Sequence, residues 1–482
     1  MSASPTITTE RMSRVDTAWL RMDTDANLMM IVGVWLVEPT LSLADLRERV
    51  EGSLLKYDRF RQRVVEDAMG AHWVEDGSFD INDHVAAEDL PVARGQSPVE
   101  ALKARVGELA ATPLDPSRPL WELRLVEDLE TGRSAIITRI HHCIGDGISL
   151  ISVMLSITDG GKPPPVRKKR GAVGDEPDAE FDWFADALLK PVTELTIKAI
   201  GLYGDGMAKS VELMANPVQP LAGGMDVARA GYQLISDAAA MALMPDDSPT
   251  RLKGKATPGK RVAWGEPLPL EEVKAVGQAF GASINDILLT CVAGAIGEHL
   301  RAHGDDPSGK EIRAMVPVNL RPLDQAWKLG NRFGLVPLVL PVGIANPAER
   351  LGAVRARMNE LKGGYQPVMA FALLAVAGLL IKPMQAALLN LFAKKATAVM
   401  TNVPGPREPL KFCGRTIKQT MFWVPASGDI GVGVSILSYA GGVQFGLITD
   451  DALCPDPDDI IARFQPEFDK LLYLSLMLPW GE

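Results

Sequence analysis

His141-His142-Cys143-Ile144-Gly145-Asp146-Gly147 is the stretch on which the reading of this chain turns. Immediately before it, Ser134–Ile140 crowds Ala135, Ile136, Ile137 and Ile140 together and predicts a buried strand. Immediately after it, Ile148, Ile151, Met154 and Leu155 recur at helical spacing. The segment therefore sits on a strand-to-helix turn. Neighbouring strand side chains point to opposite faces, so the two histidines have different tasks. One can face a cleft while the other packs inward. Asp146 can fold back to orient an imidazole or to pair with a cation, and Gly145 and Gly147 permit the tight backbone this needs.

Imidazole suits proton abstraction because its ordinary pKa, about 6.5, lies near working pH. It can take the proton of a hydroxyl as that oxygen attacks a carbonyl. A lone histidine is more often structural, but two of them followed by Asp and Gly on such a turn mark a site. Competing motifs are weak. Ser435, in Gly433-Val434-Ser435-Ile436-Leu437, lacks the last glycine of a nucleophile elbow. Gly428, Gly431 and Gly433 do not have dinucleotide-fingerprint spacing, and there is no phosphate-binding Gly-Lys-Ser/Thr loop. His299 and His303 have the i,i+4 spacing of metal ligands, yet Glu298 is not placed as in His-Glu-x-x-His, so an exposed helix end is expected and no metal site. Without a serine or cysteine nucleophile, direct transfer in a ternary complex is favoured.

Working outward, 482 residues exceed what one hydrophobic core usually serves, and two α/β halves of similar content are expected. Met12–Val50 reads as helix, strand (Ile31–Val37), helix (from Leu43). Later helices are expected at Ser283–His299, Pro347–Leu361 and Pro457–Leu474. Strands are expected at Ala314–Leu320, Phe333–Val342, Val399–Val403, Gly431–Leu437 and Val443–Thr449. Thr158–Glu180 is a linker whose Arg167–Arg170 cluster could meet anionic lipid or a coenzyme phosphate but reads better as a solvated loop. Phe181–Leu243 reads as a helical crossover, and Asp246–Lys260 as a second polar loop.

Hydrophobic residues make up 47% and charged residues 23%, the balance of a folded globular protein. A net charge of −10 without a basic stripe excludes nucleic acid as a partner. Any contact with a membrane would have to draw on apolar surface. Cys143, Cys291, Cys413 and Cys454 show no paired spacing and read as thiols in a reducing compartment. The polar start, Met1–Glu10, lacks a signal core, and the longest apolar run, Val368–Ile381, has 14 residues, short of the roughly 18–20 that span a bilayer. A cytoplasmic protein is expected, peripheral on the inner membrane face or on lipid droplets.

The His-His-x-x-x-Asp-Gly segment resembles that of the chloramphenicol acetyltransferase-like superfamily, which includes nonribosomal peptide condensation domains. Further stretches resemble the bacterial wax ester synthase/diacylglycerol acyltransferase family. They are Ser13-Arg14-Val15-Asp16, Arg59-Phe60-Arg61-Gln62-Arg63-Val64, Pro119-Leu120-Trp121-Glu122, Asn285-Asp286, Val316–Arg321, Gly330-Asn331-Arg332-Phe333-Gly334, Thr401–Pro406, and Ser438-Tyr439 with Gly441. They run in order over nearly the whole chain. The resemblance implies an α/β fold of two chloramphenicol acetyltransferase-like domains joined by a long helical crossover, with an active-site tunnel at their interface. The domains would be residues 1–180, carrying the histidine motif, and residues 261–482, with the crossover and linker at 181–260.

It further implies an O-acyltransferase that moves a long-chain acyl group from acyl-coenzyme A, a substrate and not a cofactor, to a fatty alcohol or diacylglycerol. No cofactor is implied. His142 would be the base, His141 would support it structurally, and Asp146 would hold the loop against an arginine, Arg321 or Arg63. Asn285 either caps its helix after Ser283 or steadies substrate and oxyanion. Asp286, Trp121, Asn331, Asn402 and Ser438 complete the expected substrate-binding set, with Pro119–Trp121 and Asn402–Gly405 as tunnel wall. The chain departs from the family at Gly145, expected to loosen the turn, and at Leu28-Met29-Met30-Ile31, where Asn27–Met30 would reshape the substrate mouth. Two other readings remain open: a condensation-type enzyme that needs a carrier protein, and an inactive lipid-binding protein.

Overall fold

Ser13, Ser42, Ser97 and Ser283 each accept a backbone N–H three residues on, and each starts a helix. The computed structural model describes residues 9–67, 70–130, 132–161, 246–319, 328–362 and 394–478. The first half runs β1 (Thr9–Arg11), α1 (Arg14–Arg21), β2 (Met30–Glu38), α2 (Leu43–Ser53), β3 (Gln62–Asp67), β4 (Gly70–Glu75), α3 (Ile81–His84), β5 (Val85–Ala87), α4 (Pro98–Ala110), β6 (Trp121–Glu130), β7 (Arg133–His141) and α5 (Gly147–Ser156). The second half runs β8 (Lys260–Trp264), β9 (Leu268–Pro269), α6 (Leu270–Ala279), α7 (Ile284–Ala302), β10 (Ile312–Asn319), β11 (Phe333–Leu340), α8 (Pro347–Lys362), β12 (Ala398–Pro404), β13 (Lys411–Phe412), β14 (Arg415–Trp423), β15 (Val432–Tyr439), β16 (Gly442–Asp450) and α9 (Pro457–Met477).

Two sheets carry the fold. One has six strands in the order β13-β14-β2-β7-β6-β5; the other is built on β11-β10-β12-β15-β16-β8, with β9 added against β16. β1, β4 and β3 form a small third sheet. β2 is apolar along nearly its whole length because it lies at the centre, antiparallel to β7 on one side and β14 on the other. β14 belongs to the second half of the sequence. Cutting the chain at residue 260 therefore does not cut it in space. The main buried cluster of the first half also takes in Met315, Phe333, Val399, Phe412, Ile417 and Tyr439.

Two features that a run of apolar residues would not reveal are β6 and β14. In Trp121–Glu130 the charged Glu122 is buried, paired with the buried Arg139 of β7. In Arg415–Trp423 only Ile417, Met421 and Trp423 are buried. The apolar run Val368–Ile381, the crossover Phe181–Leu243, most of the linker after Gly161, and Arg321 lie outside the described residues. Among the described residues no single helix is long and apolar enough to cross a membrane.

The second sheet forks. β10 pairs with β12 only at Ala314–Ala398 and Met315–Val399. Beyond that point β10 stays with β11 as far as Asn319, and β12 stays with β15 as far as Pro404. The diverging ends leave a gap that faces the turn after β7.

Candidate active site

A mostly apolar channel occupies this fork. Pro317 and Asn319 of β10, Phe333 and Leu335 of β11, and Val399, Thr401, Asn402, Val403 and Pro404 of β12 line it from the second half. Trp19 of α1, His142, Asp146, Gly147 and Ile148 line it from the first. Phe422 of β14, with Val424, Pro425 and Ser427 just after it, closes a further wall.

His142 is the one histidine among these lining residues. The ladder between β2 and β7 continues one step past the strand end, with the His142 N–H donating to Met29 O at 2.7 Å. The His142 carbonyl accepts from Asn331 Nδ2 at 2.7 Å. Asn331 also donates its backbone N–H and its Nδ2 to Asp16 Oδ1, both at 2.8 Å. Burial pushes the Asp16 carboxyl up, while hydrogen bonds from Ser13 and Asn331 pull it back down. The His142 backbone is thus pinned from both halves. Its ring stacks on Trp19, with centroids 4.1 Å apart and planes 9° apart, and Phe333 leans against both rings. Burial depresses the imidazole pKa to about 4, only partly offset by the residue's own backbone carbonyl and the Asp146 charge. At neutral pH the ring is therefore unprotonated, as a base must be. Nδ1 is enclosed and has no partner among the described residues, which leaves Nε2 as the nitrogen available to the channel.

His141 points the other way and is engaged at both nitrogens. Nε2 meets Asp23 Oδ2 at 3.2 Å, and Nδ1 accepts the Cys143 N–H at 3.1 Å. That fixes its tautomer and gives it a supporting place. Cys143, although beside His142, is no nucleophile, because burial pushes its thiol far up. Asp146 is the N-cap of α5. One carboxylate oxygen accepts from Ser149 N at 2.8 Å and the other from Arg332 N at 3.0 Å. The loop is thus held against the backbone of an arginine that the sequence reading did not single out for this role; Arg63 sits on β3, opposite Val74. Gly145 does not loosen the turn. It bridges to Gly330, and a Cβ there would lie 2.6 Å from Ser149 Oγ. This close approach is what requires glycine.

The remaining expected residues divide. Asn402 lines the channel, and its Nδ2 donates to Asn285 Oδ1 at 2.8 Å, so the two amides form one polar group at the wall. Capping of α7 falls to Ser283 and Asp286, in reciprocal hydrogen bonds of 2.8 and 3.2 Å, which corrects the capping reading of Asn285 and the substrate reading of Asp286. Ser438 accepts the Gly405 N–H and fixes the end of β12 without lining the channel. Trp121 is not tunnel wall. It is buried, donates Nε1 to Phe60 O at 2.9 Å and stacks on His84. Met29 and Met30 are buried in the core and do not line this channel, while Asn27 donates to Gly428 O beside Ser427. His299 is buried, not exposed, and its Nδ1 hydrogen-bonds Asp459, which also pairs with Arg463 on the same helix, so that a hydrogen bond staples α7 to α9. Trp19 and Phe422 escaped the sequence reading. For Trp19 a signal existed, since it lies three residues after Asp16 and so on the same helix face.

Comparison with known proteins agrees with this geometry. Residues 12–288 match the family described as the wax ester synthase/diacylglycerol acyltransferase catalytic domain, and residues 329–472 match its C-terminal domain. A probable diacylglycerol O-acyltransferase of Mycobacterium tuberculosis is 27% identical over 476 residues, 96% of each chain. A putative diacylglycerol O-acyltransferase of the same species is 30% identical over 417 residues, 83% of each chain. Among solved structures, the wax ester synthase/diacylglycerol acyltransferase from Marinobacter aquaeolei VT8 superposes with a TM-score of 0.67 at 20% identity, over 97% of this chain and all of that one. The first condensation domain of the CDA synthetase does so at 0.55 and 17% identity, over 98% and 97% of the two chains. These structural likenesses establish the two-part fold.

If Trp121 is core and not wall, Trp121→Ala will cost roughly 3–5 kcal/mol of stability. A urea titration followed by circular dichroism should show the lowered midpoint, with the KM of the folded enzyme for its acyl acceptor unchanged.

Proposed function

The chain belongs to the wax ester synthase/diacylglycerol acyltransferase family, and from that premise we propose that it moves a long-chain acyl group from acyl-coenzyme A to a fatty alcohol or diacylglycerol, with His142 as the general base. The observation that carries the proposal is one neutral, buried imidazole set in the wall of an apolar channel between the two sheets. The acceptor hydroxyl would give its proton to His142 Nε2 as its oxygen bonds to the thioester carbonyl carbon. The negative charge then on the carbonyl oxygen would meet the N–H groups of Gly147 and Ile148. They stand in the first turn of α5, where the helix dipole is positive, and both residues line the channel. The Asn402–Asn285 pair offers further polar contact for the substrate. Collapse breaks the carbon–sulfur bond, and the departing coenzyme A sulfur takes the proton back from the imidazolium. Alkyl chains suit a wall of Phe333, Leu335, Val399, Val403, Phe422 and Val424.

A carrier-dependent condensation reaction is not favoured, because the relatives closely covered by the chain carry acyltransferase names. We also propose that the enzyme works at a lipid surface on the cytoplasmic side, where its four free thiols are at home. Support comes from the end of α9, where Tyr473, Leu476 and Met477 stand more exposed than any other large apolar side chains described, with Leu478 beside them.

Purified enzyme given palmitoyl-coenzyme A with hexadecanol or with diacylglycerol should release thiol and form the corresponding ester. His142→Ala should lower that rate by about 10²–10⁴-fold while leaving the circular dichroism spectrum intact. Normal turnover by this variant removes His142 from the mechanism.

The pH profile follows from burial. A base with its pKa near 4 is already neutral at pH 5, so kcat/KM should be flat from pH 5 to 7 and fall only as pH drops through about 4. An acid limb centred near 6.5 would mean that water reaches the ring freely.

For the lipid surface, Leu476→Asp combined with Met477→Asp should abolish co-sedimentation with phosphatidylcholine vesicles and leave turnover of detergent-dispersed substrate unchanged. Undiminished sedimentation would relocate the contact.

A further inference from the structure

Resting on the reading of His142 as base, we infer that Trp19 is a positioning residue for that base: its indole face holds the imidazole in one plane and receives the positive charge the ring acquires with the hydroxyl proton. The near-parallel stack at 4.1 Å is the closest approach of any two aromatic rings described around the channel. Both rings belong to the channel wall. Trp19 Nε1 is buried and without a partner among the described residues, so no hydrogen bond explains where the indole sits. Its placement is explained by the helix that carries it. Three residues earlier on α1, Asp16 holds Asn331, and Asn331 holds the His142 carbonyl. One helix thus grips the histidine twice, at the backbone through a hydrogen-bond relay and at the ring through a stack. Phe333, in the segment that follows Asn331, closes the third side at 5.5 and 5.6 Å from the two rings.

The chemistry needs both services. The hydroxyl proton passes to Nε2 while the new carbon–oxygen bond forms, and a ring free to tip would lose the line between Nε2 and that oxygen; misplacement by about 1 Å costs on the order of 10²-fold in rate. The imidazolium then forms in a site whose burial opposes charge. The titratable groups that face it are Asp146 on its own turn and His141 at the end of β7, with Asp16 on α1 one amide away through Asn331. None is described in direct contact with the ring, whereas the indole face covers one whole side of it. A cation over an indole face gains a factor of roughly 2 to 5 in equilibrium terms at an exposed site and about 30 when desolvated.

The test grades the indole's electron density without changing its shape. Full-length enzyme is prepared with tryptophan, 5-fluorotryptophan or 5,7-difluorotryptophan at position 19 alone, together with Trp19→Met. The assay uses palmitoyl-coenzyme A and the acceptor that the wild-type enzyme turns over. We expect kcat to fall stepwise with fluorine number, by about 2- to 10-fold overall, with KM within twofold and melting temperature unchanged. Trp19→Met, which fills the space without a plane, should lose about 10²-fold in kcat. A flat kcat across the fluorinated series overturns the charge-stabilising role, and a folded Trp19→Met enzyme with parental kcat overturns the positioning role. His142→Ala is measured alongside. If it turns over normally, the base assignment itself has failed; if it is inactive while the fluorinated series is flat, only the inference about Trp19 has.

Discussion

The carboxylate of Asp16 is the point on which this architecture converges. It is buried, and a buried carboxylate is costly unless every oxygen is satisfied. Here Oδ1 is satisfied from the far half of the sequence: Asn331 brings it both its backbone N–H and its side-chain amide. The same amide reaches the His142 carbonyl. One desolvated charge therefore ties α1, the segment leading into β11 and the turn after β7 to one another. The Gly145–Gly330 bridge and the Arg332 N–H on Asp146 lie on the same seam. The histidine is held by backbone geometry, and among the described residues its enclosed ring nitrogen has no hydrogen-bonded partner.

Burial sets the electrostatic character of the site as well as its shape. The apolar walls that would receive alkyl chains also desolvate the imidazole and keep it neutral. The same burial pushes the neighbouring Cys143 thiol up and out of use. One environment thus selects which of two adjacent nucleophilic side chains can act. A paired carboxylate, such as a histidine in a catalytic triad has, would shift the ring the other way. Here the Asp146 oxygens accept two backbone N–H groups, and its charge offsets only part of the burial.

Local sequence carried the elements around the histidines well. Ser134–Ile140 and Ile31–Val37 are strands because their apolar runs pack against one another, and helix starts announce themselves through Ser13, Ser42 and Ser283. The family resemblance added the non-local residues, Asp16 and Asn331 among them. What stayed illegible depends on long-range neighbours. Trp121 looked like substrate wall until its indole was seen donating to Phe60. Trp19 escaped the reading altogether: its place three residues after Asp16 sets its helix face, but nothing local shows that the ring of His142, from the turn after β7, will lie flat against it. Asn285 and Asp286 are adjacent yet divide their work, since only the third residue after the cap can return a hydrogen bond to it. The fork between β10 and β12 has no local signal at all; it exists because each strand keeps a different partner.

The insertion of β14 beside β2 has a consequence for how the polypeptide emerges from the ribosome. β2, the apolar centre of the first sheet, cannot find its second neighbour until about 375 further residues have been made. Throughout that interval one flank of β2 is an unpaired edge of β-branched side chains, the kind of edge that invites association with another chain. The nascent first half must therefore wait in an unfinished state, and synthesis of β14 is what seals it.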